Sequence, residues 1–315
     1  MIREILIAAG AGFASAILSA SILFGAGFGG FLLAYFALLP ILIIGLSTGP
    51  KSAGVGCLCG LVAITLFTSF LQGALYGVSI ALPSWMIAHF ALQQRQVGDG
   101  SIIYYPAGHI LAMLASLGAA MVLIAAIVHI NHEEGFTGAI NGYLETILTL
   151  RFQFSAPSNK ALLVENILSL FPALTIGSWL LMVTINTTIA QAILNQTSNS
   201  LRSIPAYRHM TLPEWLYWAA IATAAVALLG SGDIKYVGRN VTVILAIPFF
   251  MIGLGTVHVL AGRLTRPGMA LAIFYFMLLI LGWPALIVAG LGFIEPWVEL
   301  RKKFINPALG PDDDD

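Results

Sequence analysis

Polar side chains that could bind a small molecule are concentrated in one apolar stretch of the sequence. A helix predicted to begin near Ala173 carries five of them: Thr184, Asn186, Thr187, Thr188 and Gln191. Their hydroxyl and amide groups donate and accept hydrogen bonds without carrying a charge, which suits the lining of a ligand cavity. The same groups would also serve ordinary hydrogen bonds between helices. We retain Asn186, Thr187 and Gln191 as candidate ligand-binding residues, and both explanations stay open.

Two ionisable side chains are further candidates for this kind of site. His258 follows a glycine-rich sequence, and Glu165 precedes Pro172, where we expect a helix to break. An ionisable group within an apolar segment is costly to bury, and a broken helix exposes backbone dipoles to a cavity. We therefore add His258 and Glu165 to the predicted ligand-binding residues, with a purely structural role as the alternative.

Catalytic and metal-binding motifs are absent from the sequence. It has no HExxH, no GxSxG and no P-loop. Cys57 and Cys59 stand in an apolar run without the second pair or the histidines that would complete a zinc site. A net charge of zero argues against nucleic acid as a partner. We predict that the protein is not an enzyme and holds no metal and no cofactor.

The composition of the chain indicates which secondary structure carries these residues. Of the 315 residues, 59% are apolar and 9% are charged, against about 25% charged residues in soluble domains. Lys51 is the only charged side chain between Glu4 and Arg95. We predict an all-α, polytopic transmembrane helical bundle of about 8–10 membrane segments. A single integral membrane domain would cover residues 1–300, and a charged C-terminal tail residues 301–315.

Charges and prolines suggest helix boundaries in the second half of the chain. We expect a helix over residues 241–261, interrupted near Pro248, after a loop that contains Asp233 and Arg239. The block from Gly268 to Trp297 is long for one tilted helix and short for two full spans. Whether this block is one helix or a hairpin stays open.

The first helix carries a stripe of small residues at every fourth position: Ala8, Gly12, Ala16 and Ala20. Small residues at this spacing let another helix approach closely in a membrane. The stripe therefore predicts either contact within the bundle or a docking face for another subunit.

Positive charges predict the orientation in the membrane. With the N-terminus in the cytoplasm, most basic residues fall on cytoplasmic connections, as the positive-inside rule requires. These residues are Arg3, Lys51, Arg95, Arg202, Arg208, Arg263 and Arg266.

Several stretches of the chain resemble the YybS-like family of membrane proteins, a domain of unknown function. The matching segments are residues 39–60, 212–216 and 246–250 with Gly253 and His258, and residues 292–297 leading to Arg301 and Lys302. Glu295 stands where that family usually has an aspartate. The resemblance implies a multi-pass protein of the bacterial inner (plasma) membrane.

The first half of the chain is also similar to the substrate-binding subunits of energy-coupling-factor vitamin transporters. The similarity rests on Pro40 and on Gly49-Pro50-Lys51 with the glycines that follow. It implies that the stripe on the first helix docks a partner.

The function that we predict is a small-molecule-binding transport subunit that works with a partner. That partner would be another membrane subunit or an ATPase-containing complex, with the lipid bilayer around both. The alternative is a membrane scaffold or assembly protein without a ligand.

Overall fold

The computed structural model describes residues 2–23, 27–96, 98, 102–131, 133–151, 168–199, 201–202, 210–299 and 301. Glu165 and most of the predicted C-terminal tail lie outside the described residues.

Helices dominate the described part of the chain. In its first half they are α1 (Ile2–Ala20), α2 (Gly27–Tyr35), α3 (Leu39–Thr48), α4 (Pro50–Phe67), α5 (Phe70–Tyr76), a π-helical segment (Gly77–Ala81), α6 (Leu82–Ala91) and α7 (Ala107–Val128). A short antiparallel hairpin of β1 (Gln94–Gln96) and β2 (Ile102–Tyr104) joins α6 to α7.

The remaining helices follow the polar stretch after α7. They are α8 (Gly135–Arg151), α9 (Phe171–Gln196), α10 (Glu214–Leu229), α11 (Gly232–Ala261), α12 (Pro267–Leu281) and α13 (Pro284–Val298).

Seven segments of the described chain are long and apolar enough to cross a membrane. They are α1, α2 with α3, α4, α5 to α6, α7, α9 and α11. The helices α12 and α13 form a pair bent by 116°, and α10 is a shorter apolar helix. The predicted all-α polytopic bundle is thus confirmed.

The chain groups into two compact units. Unit 1 consists of Met1–Ile110 and Ser178–Ala206, and unit 2 consists of Leu111–Gly177 and Tyr207–Asp315. The first residues of α9 therefore belong to unit 2 and the rest of α9 to unit 1.

In unit 1, α1 packs on α4 through glycines. A Cβ atom at Gly12 would overlap the carbonyl oxygen of Gly56, and one at Gly60 would lie 3.0 Å from the carbonyl oxygen of Gly12. Side-chain volume at these positions would force the helices apart, so the small residues set the close approach of the two backbones.

In unit 2, α11 packs on α13 in the same way. A Cβ atom at Gly253 would overlap the Val288 carbonyl oxygen, and one at Gly292 would overlap the Phe249 carbonyl oxygen. These contacts pair a later residue of one helix with an earlier residue of the other. The two helices therefore run antiparallel.

Two boundary predictions are wrong. Asp233 and Arg239 lie in the first turns of α11 and not in a loop; an acidic residue in the first turn of a helix is stabilised by the helix dipole. Pro248 lies inside α11 without ending it, because packing of neighbouring helices tolerates the loss of one backbone hydrogen bond.

The block 268–297 consists of two helices. Gly282 ends α12 with φ +68° and ψ −46°, a positive-φ conformation that glycine adopts without a Cβ clash. The block is therefore not one continuous helix, and its two helices are bent by 116° relative to each other.

Candidate functional site

A break in the second membrane segment of unit 1 organises the candidate site. α2 ends at Tyr35 and α3 begins at Leu39. Pro40 has no N–H group to continue the helical ladder. The Leu39 N–H donates to the Phe36 carbonyl at 3.0 Å, one residue short of the α-helical pattern. The carbonyl of Tyr35 is therefore left without its helical donor.

Asn186 on α9 supplies the donor that Tyr35 lacks. Its Nδ2 group donates to the carbonyl oxygen of Tyr35 at 2.8 Å and to that of Met182 at 2.9 Å. Both amide protons are thus used. Asn186 is 0% exposed, and its Oδ1 atom has no hydrogen-bond partner among the described residues. One buried acceptor therefore stays unmet.

A second set of hydrogen bonds involves Ala37, within the break itself. The hydroxyl of Ser15 donates to the Ala37 carbonyl at 2.6 Å and lies 2.8 Å from the Tyr76 hydroxyl. Because Ser15 has a single hydroxyl proton and gives it to Ala37, Tyr76 donates to Ser15. We name the five residues Ser15, Tyr35, Ala37, Tyr76 and Asn186 the helix-break cluster.

A π-helical segment lies next to α9 in the same unit. Trp179 donates from Nε1 to the carbonyl of Ser79, within the segment Gly77–Ala81, at 2.8 Å. Segments of this kind often occur at functional sites. Ser84, in the helix that continues from it, is 0% exposed, and its hydroxyl has no partner in the described part of the chain.

The chemistry of the helix-break cluster is that of uncharged hydrogen bonding. None of its five members carries a formal charge, and Asn186 Oδ1 needs a donor. Within the described residues, no group of three or more His, Cys, Asp and Glu side chains could hold a metal ion.

The other two predicted residues of α9 have partners of their own. Thr187 donates to the carbonyl of Val183 at 2.8 Å, within the helix. Gln191 donates to the carbonyl of Arg202 at 3.0 Å. Arg202 in turn donates to the carbonyl of Ala91, at the end of α6. The structure thus uses Gln191 in the contact between α9 and the following loop.

His258 belongs to unit 2 and is exposed. Its Nδ1 atom lies 2.8 Å from the carbonyl oxygen of Leu254, and its Nε2 atom lies 3.4 Å from the Tyr275 hydroxyl. Glu165, the remaining candidate, lies outside the described residues.

The predicted docking stripe lies against α4 of the same chain. Ala8, Gly12 and Ala16 are buried, and Ala20 is half-buried. Contact within the bundle, one of the two explanations of the stripe, is therefore present. Docking of another subunit there stays a prediction.

An ion pair in unit 2 was not among the predicted site residues. Arg301 donates to Oε1 of Glu295 from Nε at 2.9 Å and from its backbone N–H at 3.0 Å. Glu295 is 4% exposed, and its Oε2 atom has no partner among the described residues. The signal was present in the sequence, because Glu295 is an ionisable residue inside an apolar segment.

Comparison with known protein families identifies the family of the chain. The model of the family described as Predicted membrane protein (DUF2232) matches residues 13–295. No curated protein and no solved structure shows a significant match. Because the matched residues make up most of the chain, the protein belongs to the family Predicted membrane protein (DUF2232).

Proposed function

We propose that this protein is a transport subunit that binds a small molecule at the helix-break cluster and obtains energy from a partner. The observation that carries the proposal is the Oδ1 atom of Asn186, fully buried and without a hydrogen-bond donor. A buried polar atom without a partner costs about 1–3 kcal/mol. A ligand with an N–H or O–H group would remove that cost.

The position of this oxygen beside a helix break supports the proposal. Substrate sites of membrane transporters are often formed by discontinuous helices, whose freed backbone groups line a cavity. Here the freed carbonyl is that of Tyr35, and Asn186 touches it while its own oxygen is unmet. The π-helical segment Gly77–Ala81 adds a second irregular element to the same unit.

The surroundings favour one class of ligand. The members of the helix-break cluster are uncharged, and Leu38, Ile41 and Leu180 nearby in sequence are fully buried. A charged ligand would lack a counter-ion in the cluster, at a high desolvation cost. The ligand in our proposal is a neutral, largely apolar molecule with at least one hydrogen-bond donor.

The sequence favours a partner that supplies the energy. The chain has no P-loop, so ATP-driven work would come from another protein. The similarity of the first half to substrate-binding subunits of energy-coupling-factor transporters supports the same division of labour. As part of the proposal, the protein resides in the bacterial inner membrane with its N-terminus in the cytoplasm, in keeping with the distribution of basic residues.

Native mass spectrometry of the full chain tests the ligand. We expect the wild-type protein, purified in mild detergent from its expression host, to retain a small molecule that Asn186→Leu loses. The matched control is Asn240→Leu, since Asn240 is an equally buried asparagine in unit 2 whose amide groups are all partnered. Absence of any adduct on the wild type, or its retention by Asn186→Leu, would count against the site.

A further inference from the structure

In unit 1, α4 packs beside α6 and the π-helical segment that precedes it. A Cβ atom at Gly54 would lie 3.7 Å from the ring of Trp85. The thiol of Cys57 donates to the carbonyl of Ala81 at 3.1 Å. A step of three residues forward on α4 thus corresponds to a step of four residues backward on the other segment. The two segments therefore run antiparallel.

This register brings Lys51 and His89 to one level, at the same end of the helix pair. Lys51 precedes Gly54 by three residues, and His89 follows Trp85 by four residues. Residues three or four apart lie on the same face of a helix. Both side chains therefore lie on the faces that carry the contact between Gly54 and Trp85.

The core of unit 1 covers only one side of the pair. A Cβ atom at Gly45 of α3 would lie within 3.0 Å of the Cβ atoms of Ala53 and Ala88. Both alanines are buried, whereas Lys51 is exposed. The side of the pair that carries Lys51 is therefore turned away from α3.

Apolar side chains line this uncovered side. Leu58 follows Gly54 by four residues, and Leu82 precedes Trp85 by three. The exposed fractions are 63% for Leu58, 37% for Leu82 and 38% for Trp85. We name these three residues the α4–α6 groove. Because α4 and α6 belong to apolar segments of membrane length, the groove is of the kind that an acyl chain fills.

Hydrogen-bond donors stand at the end of the groove. Among the described residues, no carboxylate forms an ion pair with Lys51. The ring of His89 stacks on that of Trp85, with 5.0 Å between centroids, and its Nε2 atom lies 3.1 Å from Nε2 of Gln93. Since an amide NH₂ group only donates, His89 Nε2 accepts, and the neutral ring carries its proton on Nδ1. An ammonium and an N–H group are thus available to an acceptor.

We propose that the α4–α6 groove binds an anionic phospholipid, with its phosphate at Lys51 and His89 and an acyl chain along the groove. Phosphate oxygens accept charge-assisted hydrogen bonds from an ammonium group. A zwitterionic head group would bring a positive charge of its own to Lys51, which disfavours it. A free phosphate would leave the apolar groove unused, so the occupant in our proposal is a lipid.

Lipid binding to the delipidated full chain tests the proposal. Native mass spectrometry compares phosphatidylglycerol with phosphatidylcholine of the same acyl chains, each at equal concentration. We expect the wild type to retain phosphatidylglycerol about fivefold more, which is the contribution of one lysine near a membrane surface. Equal retention of the two lipids would overturn the proposal.

The charge of Lys51 should account for this preference. Lys51→Met keeps the length of the side chain and removes its charge, and we expect the preference to disappear. Lys235→Met, at an exposed lysine of unit 2, is the matched control and should keep it. A preference that survives in Lys51→Met would refute the site.

The acyl chain is tested separately. Leu58→Ala should lower the retention of both lipids without changing the preference, whereas Leu286→Ala, at a leucine of α13 that is 75% exposed, should not. Unchanged retention in Leu58→Ala would exclude a lipid from the groove.

Asn186→Leu separates this proposal from the proposed function. The α4–α6 groove shares no residue with the helix-break cluster, so this variant should keep the preference for phosphatidylglycerol even where it loses the small molecule. Loss of the preference in Asn186→Leu would contradict a lipid site at Lys51.

Discussion

The side-chain amide of Asn186 donates a hydrogen bond to the backbone carbonyl of Tyr35, at 2.8 Å, where the second membrane segment breaks. The contact joins residues that are 151 positions apart in the chain. It satisfies a carbonyl that the break at Pro40 sets free, and it orients the amide so that its own oxygen is left without a donor. The same side chain thus satisfies the Tyr35 carbonyl at the break and presents its own oxygen as a candidate ligand-binding group.

Asn240 offers the direct comparison for Asn186. Its Oδ1 atom accepts from the Ala173 N–H at 3.0 Å, and its Nδ2 group donates to the carbonyls of Ser169 and Tyr236. We expect Asn240→Leu to lower the free energy of unfolding by about 2–4 kcal/mol, because it leaves buried backbone groups unpaired. Asn186→Leu in ligand-free protein should cost less, about 1–2 kcal/mol, because it also removes an unmet oxygen.

Reversible unfolding of the purified protein in mixed micelles measures this difference. Thr188→Val, at an exposed position of α9, serves as the control and should change little. A larger loss for ligand-free Asn186→Leu than for Asn240→Leu would contradict the premise that Oδ1 of Asn186 is a buried acceptor without a donor.

Gly12 should be intolerant of even one added methyl group. A Cβ at Gly12 would overlap the carbonyl oxygen of Gly56, whereas one at Gly10 would meet nothing within 4 Å. We expect Gly12→Ala to destabilise the protein by about 1–3 kcal/mol through overpacking. Gly10→Ala, on the same helix, should leave stability unchanged or raise it slightly, because alanine favours the helix. Equal thermal stability of the two variants would contradict the packing of α1 on α4.

The sequence predicted the parts of the fold that depend on local pattern. Apolar runs long enough to cross a membrane predicted the helices. The small residues of α1 predicted the close approach of another helix at Gly12. An amide inside an apolar helix makes Asn186 stand out in the sequence, and its role in ligand binding stays a prediction. Each of these signals lies within one segment of the chain.

The parts that the sequence did not predict depend on contacts between segments. The Tyr35 carbonyl is available to Asn186 because the helix breaks before Pro40. The pattern of side chains in the sequence does not show which backbone carbonyls lack a helical donor. The charges of Asp233 and Arg239 suggested a loop. The carboxylate of Asp233 is instead hydrogen-bonded to the start of α8, about a hundred residues earlier in the sequence. Glu295 was noted within a motif but not as a site, because the pairing with Arg301 requires the chain to turn after α13.

Asp233 should stabilise the start of α8. Its carboxylate accepts hydrogen bonds from the backbone N–H of Phe136 at 2.6 Å and from the backbone N–H and the hydroxyl of Thr137 at 3.1 and 2.6 Å. These bonds satisfy N–H groups that a helix leaves free at its N-terminus. We expect Asp233→Ala to cost about 1 kcal/mol, as the loss of a helix cap does.

Hydrogen–deuterium exchange of α8 checks this prediction. The amides of the first turn should exchange faster in Asp233→Ala, while Lys235→Ala, at an exposed position of the same helix turn, should match the wild type. Unchanged exchange in Asp233→Ala would mean that α8 is held by its packing and not by the cap.

Glu295 and Arg301 should be strongly coupled in a double-mutant cycle. Arg301→Leu leaves the buried carboxylate without its counter-charge. Glu295→Leu removes the counter-charge of the guanidinium, which still donates from Nη2 to the Met210 carbonyl. Each variant should cost about 3–5 kcal/mol. The double variant Glu295→Leu/Arg301→Leu should recover much of that loss, since it leaves no unpaired charge. Chemical unfolding in detergent measures all four proteins, with Glu299→Gln, an exposed acid at the end of α13, as the control. Additive single losses would show that the two charges do not depend on each other.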